Sequence, residues 1–455
     1  MTVILKVFIA VYLVIFLIVT RYSCKNGIIF FWASLFIVPS LLLLNTYIIS
    51  FINVYLLQII IISISFVLHK EYRKALFSFF YNNKKPILTL IIAYISIIIF
   101  SSTVPLNHQI CNLLQELLEI SIIVESLIVA QKNNLFVRKL CIVLSILILC
   151  NIVYSFVCEI FLRTNFAGTP LYLLMGQEDN AYYTDMINMQ RGIMDFRLQS
   201  IFAHPLSLGQ YFLLLVPIFL CKSRMLNERF RWFMIILLSI GIFLSGTRGA
   251  LFPLILIVGL FLMKEKIRFV YKLILTLPFL IVLYTFMPLN FQRDIDKYFT
   301  SFATYIQFWD DTKQSKSEIE GSSMSMRFEQ FEAANDEIKD NPLFGKGRIY
   351  REYYQDHHNQ LHPKLLGYES FVLLKLVEQG WIGLCMFILL IFYMYRIFKN
   401  TYCNVWILQL LFIAFFLSTL MTGIRPFSFL ILGMSAVIVS NQKSLSSHYT
   451  NVKPL

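Results

Sequence analysis

The chain has 455 residues, of which 58% are hydrophobic and only 14% are charged. This composition excludes an ordinary soluble domain and a disordered chain, and apolar runs of about 18 residues or more recur along it, as in polytopic membrane proteins. The formal net charge of +13 would indicate nucleic acid binding in a soluble protein, but here the basic residues fall in short loops on one side of the predicted spans, so no nucleic acid partner is expected.

Residues 1–288 are predicted to form about ten transmembrane helices joined by short loops. The first apolar run, 3–19, is followed by no small-residue cleavage site, so it is interpreted as a retained span. An outer segment at 163–204 carries charges of both signs. The loops expected to face the cytoplasm are short and basic. They carry Lys70, Arg73, Lys84, Lys85, Lys132, Arg138, Lys222, Arg229 and Lys264.

A long polar segment at 289–368 interrupts the apolar pattern and has more acidic than basic residues. It is predicted to be a large extracytoplasmic loop, because the short loops on the opposite side are basic. Residues 369–455 complete the chain with three further predicted spans and a polar cytoplasmic tail. The predicted fold is an all-α, polytopic transmembrane helix bundle of about 12–14 spans with one large, partly helical extracytoplasmic loop.

The second half of the loop has a definite local pattern. Phe328, Phe331 and Ile338 recur near helical spacing, and the Asn341-Pro342 pair is expected to stop this helix because proline has no amide proton. Gly345 and Gly347 then permit a tight turn. The apolar run from 371 to 384 is predicted to lead directly into a transmembrane span.

Several motifs in this order resemble the O-antigen ligase/polymerase superfamily of bacterial membrane glycosyltransferases. They are a helix that begins with an arginine (Arg327), an N-P-L-x-G-x-G turn (341–347) and an E-x-G-x-x-G sequence (378–383). Upstream, an R-x-x-S-x-F-x-H-P run starts at Arg197 and an S-G-x-R-G turn contains Arg248. The resemblance implies an enzyme that needs no metal or other cofactor and uses undecaprenyl-diphosphate-linked glycans as donor and acceptor. It also implies a site on the extracytoplasmic side of the bacterial inner membrane.

Arginines are the first candidate site residues, because a permanently charged planar fork of donors suits a diphosphate better than lysine does. By resemblance, Arg197, Arg248 and Arg327 are expected to bind the diphosphate. Arg191 is a further possibility without a matching motif. The alternative is that such arginines only extend to the membrane interface. Arg327 also opposes the dipole of the predicted loop helix, at a cost of only about 0.3–1 kcal/mol.

The general base is the second part of the candidate site. At the exit of the loop the family usually carries a histidine, whereas this chain has Glu369. A carboxylate can accept a proton from a sugar hydroxyl, so Glu369 is one candidate and His362 another. His357 and His358 are further possibilities. Each histidine alone also fits an ordinary polar loop, and Glu369 also fits a position near a helix start.

Three functions stay open at this stage. The first is a polymerase that joins lipid-linked repeat units of an O-antigen, capsule or exopolysaccharide, with a chain-length regulator protein as a candidate partner. The second is a ligase that transfers the finished glycan to lipid A-core, and the third is a transporter or flippase of the same lipid-linked sugar. The polymerase is favoured because the histidine typical of the ligase is replaced. The eight cysteines are scattered and none lies in the long loop, so no metal site is predicted.

Overall fold

A computed structural model describes residues 2–44, 52–162, 197–202, 204–222, 226–264, 292–293, 296, 324–358, 370–400 and 404–442. The regular secondary structure in these ranges is helical, so the predicted all-α class is confirmed. Three of the candidate site residues, Arg191, His362 and Glu369, lie outside the described residues.

The first half of the chain forms nine helices and a π-helical extension in the described ranges up to 220. They are α1 (Thr2–Tyr22), α2 (Cys24–Ser34), α3 (Pro39–Leu42), α4 (Val54–Leu68), α5 (Lys70–Asn82), α6 (Lys84–Phe100), α7 (Leu106–Lys132), α8 (Asn134–Tyr154) with its π-helical end Ser155–Phe161, and α9 (Pro205–Leu220).

Seven helices follow in the described part of the second half. They are α10 (Glu228–Leu244), α11 (Arg248–Lys264), α12 (Met324–Ile338), α13 (Tyr350–His358), α14 (Phe371–Lys399), α15 (Val405–Thr422) and α16 (Ser428–Asn441). The predicted loop helix corresponds to α12, which ends shortly before Asn341-Pro342 as expected.

Some of the described helices are long and apolar enough to cross a membrane. Three pass this test alone: Asn134–Phe161, Phe371–Lys399 and Val405–Thr422. Helices α4 and α5 form a fourth span if they are counted together despite the 103° bend between them. The number of spans predicted from the sequence stays a prediction, because the predicted span before the long loop lies outside the described residues.

Helix α9 forms the centre of the bundle, and every residue in it except Leu206 is buried. A helix that is apolar on all sides is expected in such a position. It packs against α10, α11, α15 and α16. The start of α9 contacts the start of α11, where the Thr247 hydroxyl donates to the Pro205 carbonyl at 3.2 Å. Gly249 of α11 lies directly against Thr422, the last residue of α15.

These contacts define one end of the bundle, which we call the site end. It contains the start of α9, the end of α10, the start of α11, the end of α15 and the start of α16. The chain alternates in direction between neighbouring helices, so Lys84, Lys132, Lys264 and Arg396 lie at helix ends away from the site end. This separation agrees with the charge pattern of the sequence.

Helix α14 is not the continuous span that the sequence predicts. Gly380 has φ 62° and ψ −166°, which interrupts the helix. The first segment bends back at this break, so the Phe371 ring contacts the Phe387 ring with a centroid distance of 5.3 Å. Residues 371–399 have the length and hydropathy of one span, but the bend shows that only the part after Gly380 has the geometry of one.

Candidate functional site

The segment 197–202 crosses the site end in an irregular conformation held by buried polar groups. The Leu198 amide donates to the Leu244 carbonyl at 3.1 Å. The Glu159 carboxylate accepts the amides of Gln199 and Ser200 at 3.3 and 3.0 Å. Ser200 has φ 57°, an unusual value for a residue with a side chain. Its hydroxyl donates to Asn151 Oδ1 at 2.9 Å, which helps to hold this conformation.

Arg197 connects the two arginine motifs that the sequence analysis identified. Its Nε donates to the carbonyl of Ser245 at 3.0 Å, and the residue is 3% exposed. Ser245 begins the S-G-x-R-G turn, so the R-x-x-S run and this turn lie in direct contact. Sequence reasoning placed both arginines near one membrane surface, and the structure brings their two segments together.

The turn itself positions Arg248 at the start of a helix. Gly246 has φ 63°, a conformation that costs little only for glycine. The Ser245 and Thr247 side chains bond to each other at 2.9 Å. Arg248 is the first residue of α11 and is half-buried. The first amides of a helix also favour an anion, so a permanent cation and a helix N-terminus coincide here.

Arg425 is a site-end arginine that the sequence analysis did not single out. It follows α15 in the connection to α16 and is half-buried. Its amide donates to Gln210 Oε1 at 3.3 Å, and its Nη2 donates to the Thr422 carbonyl at 3.1 Å. Thr422 also packs against Gly249, the residue after Arg248. One feature of the sequence could have identified Arg425. It is next to a proline in the short connection between the last two predicted spans, on the predicted outer side.

The N-P-L-x-G-x-G turn forms a second feature at the junction with α14. The Lys346 and Gly347 amides donate to the carbonyls of Val377 and Glu378, both at 2.9 Å. In the other direction, the Trp381 amide donates to the Pro342 carbonyl at 3.0 Å. The turn therefore binds the backbone groups that the break in α14 leaves without helical partners. We call this contact the Gly380 junction.

Glycine is required on both sides of the Gly380 junction. A Cβ on Gly345, which has φ 71°, would lie 2.6 Å from the Val377 carbonyl oxygen. A Cβ on Gly380 would meet the backbone of Leu343 and Phe344. The two glycine motifs of the loop and of α14 are therefore two halves of one backbone-to-backbone contact.

The residue after the turn, Arg348, is the most deeply buried charged side chain in the described part of the chain. It is 0% exposed and forms an ion pair with Glu116 of α7. Its Nε donates to Asn112 Oδ1 at 3.0 Å, and its guanidinium lies 4.9 Å from the centroid of the Tyr94 ring. Lys375 of α14 lies 3.7 Å from the same Glu116 carboxylate. Burial lowers the pKa of Arg348, but the charge and hydrogen bond of Glu116 together with Tyr94 and Glu378 outweigh burial, so the net pKa is raised.

A further buried network lies one helical turn along α7 from Glu116. The Tyr55 hydroxyl donates to Glu119 Oε1 at 2.9 Å, and Gln115 Nε2 donates to Tyr55 at 2.6 Å. The Tyr55 ring contacts Phe427 at the start of α16, with a centroid distance of 5.5 Å. This chain of contacts connects the Gly380 junction with the site end near Arg425.

The remaining candidate residues lie in the loop. Arg327 falls in the first turn of α12, as the sequence predicts. His357 and His358 form the end of α13 and are exposed. Their Nδ1 atoms lie 2.9 Å from the carbonyls of Tyr353 and Tyr354, and their rings contact the same two tyrosines. Among the described residues, no contact connects either histidine with Arg248. Histidine is common at a helix C-terminus, so these positions also fit a purely structural role.

Metal ligation was tested on the same part of the chain. Among the described residues, no group of three or more His, Cys, Asp or Glu side chains is arranged to hold a metal ion. Independence of metal and cofactors stays a prediction from the resemblance.

The helices and the site define a class of protein before any relative is considered. The chain is a polytopic α-helical membrane protein with arginines at one end of its bundle and a loop turn bound into a broken helix beside them. Residues 233–388 match the family described as O-Antigen ligase. This match confirms the resemblance to the O-antigen ligase/polymerase superfamily, and the matched range contains Arg248, the turn and Gly380. No curated protein matches the chain.

Proposed function

We propose that this protein polymerises polyprenyl-diphosphate-linked repeat units of a surface polysaccharide. The observation that carries the proposal is the contact between Arg197 and the turn of Arg248 at the site end. This contact supports a single anion-binding site that includes both arginines. The alternative is that each arginine extends separately to the membrane interface. The proposed location is the extracytoplasmic side of the inner membrane, and a chain-length regulator is a proposed partner.

Arg248 is the proposed principal ligand of the donor diphosphate. It is half-buried at a helix N-terminus, where charge-assisted hydrogen bonds are strong and the positive end of the helix dipole favours an anion. Arg197 is almost completely buried, and its Nε bonds to the turn. Its proposed contribution is therefore to position the turn as well as to add positive charge. Arg327 remains a proposed diphosphate ligand by resemblance to the family.

The proposed reaction is a direct glycosyl transfer. The acceptor hydroxyl oxygen forms a bond to the anomeric carbon of the donor, and the bond from that carbon to the diphosphate oxygen breaks. The electron pair of this bond stays on the diphosphate, where arginines stabilise the developing charge. The acceptor proton passes to a general base, for which Glu369 is proposed first and His362 second, with His357 and His358 as more remote possibilities.

The ligase is the second candidate, and the match to the O-antigen ligase family is compatible with both reactions. Both reactions use the same donor and differ in the acceptor. The polymerase remains our proposal because Glu369 stands where the ligases of the superfamily usually have histidine.

A reconstitution assay separates the two candidates. Purified protein in nanodiscs receives synthetic undecaprenyl-diphosphate-linked repeat units, alone or with lipid A-core. A polymerase produces a ladder of lipid-linked chains from repeat units alone. A single transfer that occurs only when lipid A-core is present would establish the ligase instead, and no transfer to either acceptor would overturn both.

The same assay identifies the base. Glu369→Gln keeps the shape of the side chain but removes its basicity, so the rate should fall by about 10²–10⁴ while donor binding persists. The control is His362→Ala, for which a mild effect is expected. An active Glu369→Gln together with an inactive His362→Ala would transfer the role to the histidine.

A further inference from the structure

A membrane-facing groove lies between α5, α6, α7 and α14. Its inner part is an apolar crevice of about 260 Å³ lined by residues such as Leu90, Tyr94, Val124, Leu390 and Met394. The crevice adjoins a second, wider cavity of about 690 Å³, and residues such as Pro86, Leu127 and Tyr393 line both. The wider cavity lies at the end of α6 and α14 that is away from the site end. We call it the mouth of the groove.

The mouth has the charge of an anion-binding surface. Lys84, Lys85 and Arg396 line it, and its other polar residues are neutral amides such as Asn83 and Gln131, with no Asp or Glu among the lining residues. The Lys84 ammonium is held 4.6 Å from the centroid of the Tyr81 ring. Three cations therefore surround the opening of an almost purely apolar crevice.

We propose that this groove holds one anionic phospholipid, with an acyl chain in the crevice and the phosphate at the mouth. The dimensions agree with such a lipid. From Lys84 to Tyr94 the helix α6 rises about 15 Å, since each residue adds about 1.5 Å. This is about half of the roughly 30 Å hydrocarbon core, which is the depth of one leaflet.

The position of the charges distinguishes this lipid from the sugar donor. The proposed lipid is a structural lipid of the leaflet opposite the site end. A donor bound at Arg248 places its diphosphate at the site end, whereas the cations of this groove lie at the opposite end. Tyr94 lines the crevice, and its ring also faces the Arg348 guanidinium at 4.9 Å. An acyl chain in the crevice therefore contacts the aromatic ring that lies against Arg348, the residue after the turn of the Gly380 junction.

Lipid binding can be measured directly on the purified full-length protein. Native mass spectrometry counts the lipids retained after addition of phosphatidylglycerol or of phosphatidylcholine with the same acyl chains, and thermal unfolding in detergent reports the shift in Tm. We expect one phosphatidylglycerol to be retained and to raise the Tm, with a clearly smaller effect of phosphatidylcholine. The variant Lys84→Gln/Lys85→Gln/Arg396→Gln should lose both the retained lipid and the Tm shift.

A matched control removes the same amount of charge from exposed positions outside the groove. The variant Arg138→Gln/Lys139→Gln/Arg229→Gln should behave like the unmodified protein. An equal loss of phosphatidylglycerol in both variants would overturn the proposal in favour of general surface charge. Equal stabilisation by phosphatidylcholine would also overturn it, because the mouth would then have no role. Preferential retention of undecaprenyl phosphate over phosphatidylglycerol would assign the groove to a different lipid.

Discussion

The Gly380 junction and the turn of Arg248 both contain glycines and an arginine, but they use them differently. At the junction, the backbone groups of a loop and a broken helix bond to each other, and Arg348 is fully buried against Glu116. At the turn, Arg248 is half-buried at the first residue of a helix. The buried arginine of the junction has the contacts of a residue that stabilises the fold, whereas the arginine of the turn is the proposed ligand of an anion.

Replacement of Arg348 tests the structural side of this comparison and should have the largest effect on stability. Arg348→Met removes the principal partner of the Glu116 carboxylate, which is 28% exposed. Breaking a fully buried ion pair from one side costs roughly 3–5 kcal/mol, which is an upper limit for this half-buried carboxylate. The free energy of unfolding, measured by denaturant titration in mixed micelles, should fall by up to this amount. A change below about 1 kcal/mol would mean that Lys375 alone neutralises Glu116.

Gly380→Ala tests whether the break in α14 depends on glycine. A residue other than glycine at this positive φ costs roughly 1–3 kcal/mol. Displacement of the turn should add roughly 0.5–1.5 kcal/mol for each hydrogen bond that is lost. The same micelle titration measures the sum.

The chain offers a matched control for this substitution. Gly259 lies in α11, and a Cβ added there would meet no atom within 4 Å. Gly259→Ala should therefore be neutral or stabilise by up to about 1 kcal/mol through its higher helix propensity. Equal destabilisation by both substitutions would remove the special role of Gly380.

Arg248→Lys tests the binding side of the comparison. Lysine keeps the charge but loses the bidentate fork, so transfer should weaken by roughly 1.5–3 kcal/mol of transition-state stabilisation, while the unfolding free energy stays unchanged. The product ladder from lipid-linked repeat units reports the activity. Arg229→Lys at an exposed position away from the site end is the control. Normal activity of Arg248→Lys would exclude the proposed contact with the diphosphate.

The smallest effect is expected for Lys339, an exposed basic residue of the loop that contains the turn 341–347. Lys339 forms an ion pair with Asp336 at 2.7 Å, but both side chains are more than half exposed. Solvent and salt screen such a pair, so Lys339→Gln should leave both stability and activity unchanged within the error of measurement. A clear loss of stability would show that charge in the loop matters beyond the pair of Arg348 and Glu116.

The predictable part of this molecule is local in the sequence. Apolar runs predict the helices, Asn341-Pro342 predicts the end of α12, and Gly345 and Gly347 predict a tight turn. The structure confirms the end of α12 and the turn, in which both glycines have positive φ. Two features depend on distant residues and were not predictable in this way. Arg348 finds Glu116 through the tertiary fold, and the break at Gly380 needs the loop turn as its partner, whereas hydropathy alone predicts an unbroken span.

The candidate site divides along the same line. A family pattern marks single positions, so the motifs predicted Arg197 and Arg248 as candidate residues. The motifs did not predict that Arg197 donates a hydrogen bond to the turn that contains Arg248. Arg425 was missed because it has no motif, and its bonds to Gln210 and Thr422 in the fold hold it at the site end. The role of Glu369 stays a prediction, since this residue lies outside the described part of the chain.

The Gly380 junction also has a consequence for how the protein is made. During translation the turn leaves the ribosome before α14 does, and the carbonyls of Val377 and Glu378, just before the break, have their partners in that turn and not in their own helix. A buried backbone group without a partner costs free energy comparable to a lost hydrogen bond, so we expect the segment before Gly380 to become ordered only when the previously synthesised turn binds it. A defect in the turn should therefore also be a defect at the start of the following span.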